Sequence, residues 1–297
     1  MRGATASPVV DQGVRVTLSD PGLEERSPGQ EFAWSLGGVR PHEDLVVPFR
    51  AHLPAVFPLF ATRPRYAVRH LLKTATVPDR QVAYVHEPPA DRLSASGTSY
   101  ATTPEAAFAP DLRKAELTDL TVSVPLPDGL LDEPALLAAF IDYRVLVRLS
   151  AVENEALLHG SEDKAIPGLL GLSGSRHGSL DGDPAEVLTA AAAEVEETGG
   201  SCDGMVVHPR RYWALAAAGV LETLARTGIT VSRTRMIAPD QVLLGDFRAA
   251  ATLLVPGVAS LELLRGTGPD GSDLIRATTR VGLAVHLPQH FLLLSQS

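Results

Sequence analysis

The stretch from Asp132 to Gly160 limits what this chain can fold into more than any other. Its apolar positions Leu137, Phe140, Ile141, Val145, Leu149, Val152 and Ala156 recur at helical spacing and keep to one face. Asp132 is placed to cap the run, Pro134 is tolerated in the first turn, and Gly160 stops it. At 1.5 Å per residue such a helix is about 40 Å long, well above the average in globular domains. That length suits a scaffold beam.

The flanking segments behave differently. Residues 1 to about 50 hold five prolines, six glycines and little periodicity, so they are expected to form an arm without a core of its own. Phe32 and Trp34, its large apolar groups, are expected to dock on the body or on another copy. Tyr66 to Lys73 (YAVRHLLK) alternates like a strand, and QVAYVHE follows the turn signal Val77-Pro78-Asp79-Arg80, which predicts a hairpin. Pro88 to Pro110 is too poor in large apolar residues for a buried layer, and Ala115 to Val124 reads as a returning strand. A strand pair with a long polar excursion leaves edges that another chain would have to cover.

Beyond the long helix, Asp183, Pro184 and Glu186 occupy the capping positions of a second helix with Val187, Leu188, Ala191 and Val195 on one face. A short strand at Met205 to Val207 leads through His208-Pro209 into a third helix that Gly219 closes. The remainder is strand-rich: 241–244, 250–255, 261–265, 274–279 and 281–286. The mixture predicts an α+β fold with neither βαβ alternation nor internal repeats.

With 297 residues, 45% of them hydrophobic, the chain can bury one large core or two smaller ones. No apolar run approaches the roughly 20 residues of a membrane helix, and the first residues lack the basic and apolar regions of a signal peptide, so a cytoplasmic protein is expected. Cys202 is the only cysteine, which rules out an internal disulfide. The net charge is −9, and basic residues such as Arg63, Arg65, Arg69, Lys73 and Arg80 are scattered, so no footprint for sequence-specific nucleic-acid binding is seen.

Motifs for chemistry are weak. Gly266, Gly268 and Gly271 spell GxGxxG, but strand-like residues follow, which favours a hairpin loop over a dinucleotide site. His42-Glu43 and His86-Glu87 lack the second histidine of a zinc protease, and Pro288 separates His286 from His290. Asp181-Gly182-Asp183 lacks the spacing of a calcium loop, and helix capping accounts for Asp183. Ser173 in Gly171-Leu172-Ser173-Gly174-Ser175 lacks a nucleophile-elbow context, and Glu153/Glu155 and Glu196/Glu197 cannot face each other on a helix. No catalytic residue, metal or cofactor is expected; a hydrolase using Ser173 or His208 is the remoter alternative.

From about Ala51 onward the chain resembles the HK97-type major capsid and encapsulin family. Three pieces carry the resemblance: strand, long loop and strand leading into a long helix that ends ENEALLHGSEDKAIPGLLG; GMVVHPRRYWAL at Gly204 to Leu215, with LLGDF at Leu243 to Phe247; and RATTRVGLAVHLPQHFLLL at Arg276 to Leu294. The resemblance implies an N-terminal arm over 1–50, P-domain entry and extended E-loop over 51–131, a spine helix over 132–160, an A-domain over 161–275 and closing P-domain strands over 276–297. It implies that Arg69, Leu71, Lys73, Arg80, Val82, Tyr84 and His86 lie on the E-loop and touch adjacent subunits. It also implies that Ala218, Gly219, Val220 and Leu221 line an uncharged pore, for which a plain helix-terminating turn is the alternative. The function implied is a self-assembling icosahedral shell, of encapsulin type with a cargo enzyme inside. A tailed-phage major capsid protein is the alternative, since residues 1–50 show no charged helical scaffolding segment.

Overall fold

The computed structural model describes residues 13–15, 26–40, 43–50, 68–78, 80–87 and 110–296. They fall into two compact units. The first holds the described residues up to 50 together with 120–149 and 257–279, and the second holds those from 68 to 119 together with 150–256 and 280–296.

In the first unit, strands β1 (Gly13–Arg15) and β2 (Asp44–Arg50) pair in parallel, and β2 runs antiparallel to β12 (Val258–Leu264). β12 is joined by a hairpin to β13 (Leu274–Val285), with Leu261 opposite Ala277. The GxGxxG segment is the loop of that hairpin, with Gly266 and Gly271 at φ +59° and +75°, values that favour glycine. Arg265 and Asp273 close its base at 2.8 Å.

The arm is more structured than its composition predicts. Pro28–Leu36 forms helix α1, opened by a capping box: Ser27 Oγ accepts from Gln30 N at 3.1 Å, and Gln30 Oε1 accepts from Ser27 N at 3.0 Å. Phe32 is fully buried within this unit, whereas Trp34 is exposed with the Arg26 guanidinium 4.4 Å above its ring. Periodicity was uninformative because so short a helix buries only one large side chain; the capping box was its legible signal.

α1 rests on the long helix, which runs as α2 (Pro134–Phe140), a π turn (Ile141–Val145) and α3 (Leu146–His159). Asp132 does not cap it. That residue ends a 3₁₀ turn, Leu130–Asp132, and Glu133 takes the cap position without a side-chain bond. Asp142, in the π turn, accepts from Gly29 N at 2.8 Å and from Ser27 Oγ, so it holds the N-terminal end of α1. The approach is so close that a Cβ at Gly29 would come within 2.2 Å of Ala138 O. Leu137, Ile141, Val145 and Leu149 are buried as predicted, but Phe140 is only half-buried. Gly160, at φ +95°, ends the helix.

In the second unit, β3 (Lys73–Thr76) runs parallel to β11 (Ala251–Val255), which runs antiparallel to the later half of β13. The predicted hairpin of 66–73 with 81–87 is not formed. Val68–His70 is a 3₁₀ turn held by Asn154, whose Oδ1 accepts from Val68 N at 2.8 Å, and tertiary bonds here override strand-like alternation. β4 (Gln81–His86) instead pairs with β5 (Asp111–Glu116), four residues earlier than the predicted returning strand, which continues as β6 (Thr118–Pro125).

A second sheet in this unit has the order β7 (Arg176–Ser179), β14 (Phe291–Ser295), β10 (Gln241–Gly245), β8 (Gly204–Val207), β9 (Thr230–Arg233). Helices α4 (Pro184–Glu197), α5 (Pro209–Ala217) and α6 (Val220–Arg226) cover one face. Leu188, Ala191 and Val195 of α4, Leu215 of α5 and Leu224 of α6 pack on Met205, Val207, Val242, Leu244, Leu292 and Leu294. These sheet residues alternate along their strands, so one side of the sheet is read directly by helices. Asp183 caps α4 as predicted, accepting from Ala185 N and Glu186 N. A short helix, Phe247–Ala250, links β10 to β11.

Candidate assembly surfaces

β4 and β5 form a two-stranded ribbon whose outer edges pair with nothing among the described residues. Val82, Tyr84 and His86 point to one side and are half-buried or buried, while Gln81, Ala83 and Val85 are exposed. Val85 lies directly opposite Leu112, and the two are 49% and 75% exposed. Two large apolar side chains thus face solvent as a cross-strand pair, in the place where polar residues would stabilise an isolated ribbon.

The base of this ribbon is fixed to β13. His86 Nδ1 donates to Val285 O at 3.0 Å, and His286 Nδ1 donates to Val85 O at 2.9 Å. His286 Nε2 faces Thr252 Oγ1 at 3.1 Å, and Tyr84 packs edge-on to the His286 ring at 5.4 Å. Arg280 clasps Asp119 with two bonds, 2.6 and 3.1 Å long. The geometry gives a hydrogen-bonded root and an outer surface on which one exposed apolar pair, Val85 and Leu112, stands beside the polar side chains of Gln81, Lys114 and Glu116.

Of the residues predicted to touch a neighbour, Val82, Tyr84 and His86 lie on the ribbon and Arg80 just before it, exposed. Arg69 and Leu71 do not. Leu71 is buried, and Arg69 Nη1 lies 3.1 Å from Glu153 Oε2 of α3, both side chains being almost fully enclosed. Lys73 is exposed on β3. Burial pushes the Glu153 carboxyl above its usual range, with Arg69 opposing. Sequence reading missed this pair because two helical carboxylates, Glu153 and Glu155, look alike until the fold buries one.

Ala218 and Gly219 form an exposed turn between α5 and α6, with Gly219 at φ +74°. Val220 is buried and Leu221 is half-buried against the same core. α6 was not foreseen, and its exposed Glu222 and Arg226 bring charge to this tip.

On the first unit, Leu130, Leu136, Ala139, Phe140 and Tyr143 border a shallow hollow of about 530 Å³, with Leu136 and Tyr143 more than half exposed. Its lining offers no convergent acid, base and nucleophile. Ser173 is an exposed loop residue, and His208 serves as the N-cap of α5, its Nδ1 accepting from Arg210 N at 3.1 Å. Burial pushes the Cys202 thiol up to about 12, which makes it a poor nucleophile. His42 lies outside the described residues, as do Arg63, Arg65 and the excursion from Pro88 to Ala109. Among the described residues no group of three His, Cys, Asp or Glu side chains is placed to hold a metal ion.

No protein-family model matches the sequence, and no curated protein does. Solved structures do. A virus-like particle from Pyrococcus furiosus superposes with TM-score 0.56 at 13% identity, covering 81% of this chain and 96% of the other. The capsid of an empty GTA particle gives 0.54 at 17% identity, covering 79% and 97%. A structure from Microbacterium phage Oxtober96 gives 0.55 at 15% identity, covering 78% and 91%. At such identities the likeness defines the fold: this chain has the α+β HK97-type fold of these structures.

Proposed function

We propose that copies of this chain assemble into a closed icosahedral shell, an encapsulin-type nanocompartment in the cytoplasm that encloses a cargo enzyme and performs no chemistry itself. The observation that carries the reading is the ribbon: rooted on β13 by paired hydrogen bonds, unpaired along both edges among the described residues, and carrying Val85 and Leu112 into solvent. Val85 and Leu112 are 49% and 75% exposed, so covering them at a contact gains that share of the about 1.5–3 kcal/mol that complete burial of each would give. Repetition over many contacts makes weak individual contacts sufficient. The HK97-type fold of the particle structures cited above supports a shell as the product.

The protein expressed alone should elute as megadalton particles that appear hollow by negative-stain microscopy. A monomer or dimer at micromolar concentration removes the reading. A second reading, a major capsid protein of a tailed phage, is favoured by the equally good superposition on the Microbacterium phage structure. Nuclease-protected genomic DNA inside particles from the native host decides for it, and a co-purifying enzyme in DNA-free particles decides against it.

A further inference from the structure

The five-stranded sheet of the second unit ends in two strands of opposite surroundings. At its β9 end, Trp213 of α5 is 63% exposed and packs edge-on to Tyr212 at 5.4 Å. The guanidinium of Arg233, the last residue of β9, lies 4.3 Å from the Tyr212 ring centre and 5.2 Å from that of Trp213. Arg210, one turn before Trp213, and Arg235, two residues beyond β9, are also exposed. Here the indole is already braced by neighbours, so covering it would cost little further side-chain entropy.

Toward the other end of the sheet, α4 lies over β14 and β10, and Arg176 of β7 holds its Glu194 at 2.8 Å. The outer face of α4 exposes Glu186, Glu196 and Glu197 around the small residues Thr189, Ala190 and Ala193. Four strand spacings, about 19 Å, separate the two edges.

We propose that the Trp213 edge of one copy docks on the acidic α4 face of the next, with Trp213 lying on the small residues and Arg210 and Arg235 meeting the glutamates. The inference rests on the shell reading and names a contact within it. Because the two patches differ, the contact is head-to-tail, the kind that repeats and can close into a ring. Segregated charge also lets a chain of net charge −9 attract its own copies in one orientation while repelling them in others. A single-stranded polynucleotide could use the same arginine and aromatic chemistry. The complementary acidic face on the same molecule favours a second copy.

The chain has two tryptophans, so Trp34→Phe leaves Trp213 as the only reporter. In that background the emission should shift to shorter wavelength in step with the increase in particle size. Trp213→Ala should lower the assembled fraction at least tenfold at fixed concentration while leaving the circular dichroism of the subunit unchanged. Trp213→Cys combined with Ala190→Cys should yield a disulfide-linked ladder on oxidation, which neither single variant gives, since Cys202 is buried. Assembly with unchanged emission and no ladder overturns this contact alone, and failure of the chain to assemble overturns the shell reading with it. Dimers from Trp213→Cys alone would mean a symmetric contact, and quenching of Trp213 by oligothymidine without cross-linking would mean a polynucleotide; either result overturns the proposal.

Discussion

His86 and His286 exchange strands: the ring of each donates to the backbone carbonyl of the residue preceding the other, His86 to Val285 O at 3.0 Å and His286 to Val85 O at 2.9 Å. The pair fixes the angle at which the ribbon leaves β13, because two opposed bonds resist rotation where one would act as a pivot. His286→Ala removes its bonds to Val85 O and Thr252 Oγ1 and the Tyr84 edge contact together, and an unmet carbonyl plus lost packing costs about 1–3 kcal/mol. The subunit should still fold. Its particles should form more slowly and melt lower, which light scattering and a thermal scan of the assembled protein would detect; an unaltered melt would show that the ribbon root does not depend on this pair.

The exposed pair above that root gives the sharper test of assembly. Val85→Asp with Leu112→Lys places an opposite-charge pair across the strands on a surface already facing solvent, so folding loses little while any apolar contact between copies is abolished. Size-exclusion chromatography should show folded, unassembled subunit. Deleting Pro88 to Pro110 should have the same outcome, because that segment is too poor in large apolar residues to form a buried layer of the subunit.

Arg69 covers the carboxylate of Glu153, and removing one member of so enclosed a pair strands the other. Arg69→Ala should destabilise the subunit by about 3–5 kcal/mol, whereas Arg69→Met with Glu153→Leu should be neutral or stabilising. Glu153 already has a raised pKa through burial, so its charged form is the disfavoured one. Its contribution to stability is therefore greatest at low pH, below its unfolded value, and is lost as pH rises through the folded value. The damage from Arg69→Ala should accordingly be smaller at pH 5 than at pH 8 in urea unfolding; equal damage at both would mean that Glu153 is neutral throughout.

The elements legible in the sequence were those specified by local chemistry. Asp183 before Pro184, the glycines at 199 and 219, and the short apolar runs of β8 and β10 each declare their structure within a few residues, and the structure places α4, α5 and both strands there. The elements misread were those decided by distant partners. YAVRHLLK has the alternation of a strand, but Asn154 and Glu153 hold its central residues in a turn. Phe140 has the spacing of a core residue, but it lies beside a solvent-facing hollow while Ile141 takes the interior. The ribbon was expected as an uncovered strand pair, yet the partner strand of β4 lay across a segment that offered no periodicity. Phe140→Asp should thus cost about 1 kcal/mol or less, against more than about 4 for Ile141→Asp, and a denaturation pair would separate them.

His290 gives the chain an acid sensitivity whose sign follows from its surroundings. The ring is buried against Gly200, and its Nδ1 stands 3.9 Å from Asp246 Oδ2, too far for a hydrogen bond. Burial lowers its pKa below 6.5, and the Asp246 carboxylate only partly opposes this. A histidine with a lowered folded pKa takes up a proton on unfolding, so its stabilising contribution is complete above pH 6.5 and declines as pH falls through the folded value. His290→Asn, which cannot titrate, should lose stability at neutral pH but show a shallower decline between pH 7.5 and 5 than the parent. Comparing the two slopes cancels the opposing titration of Glu153, which both proteins share. Parallel slopes in urea midpoints across that range would mean that His290 is already open to water in the folded chain.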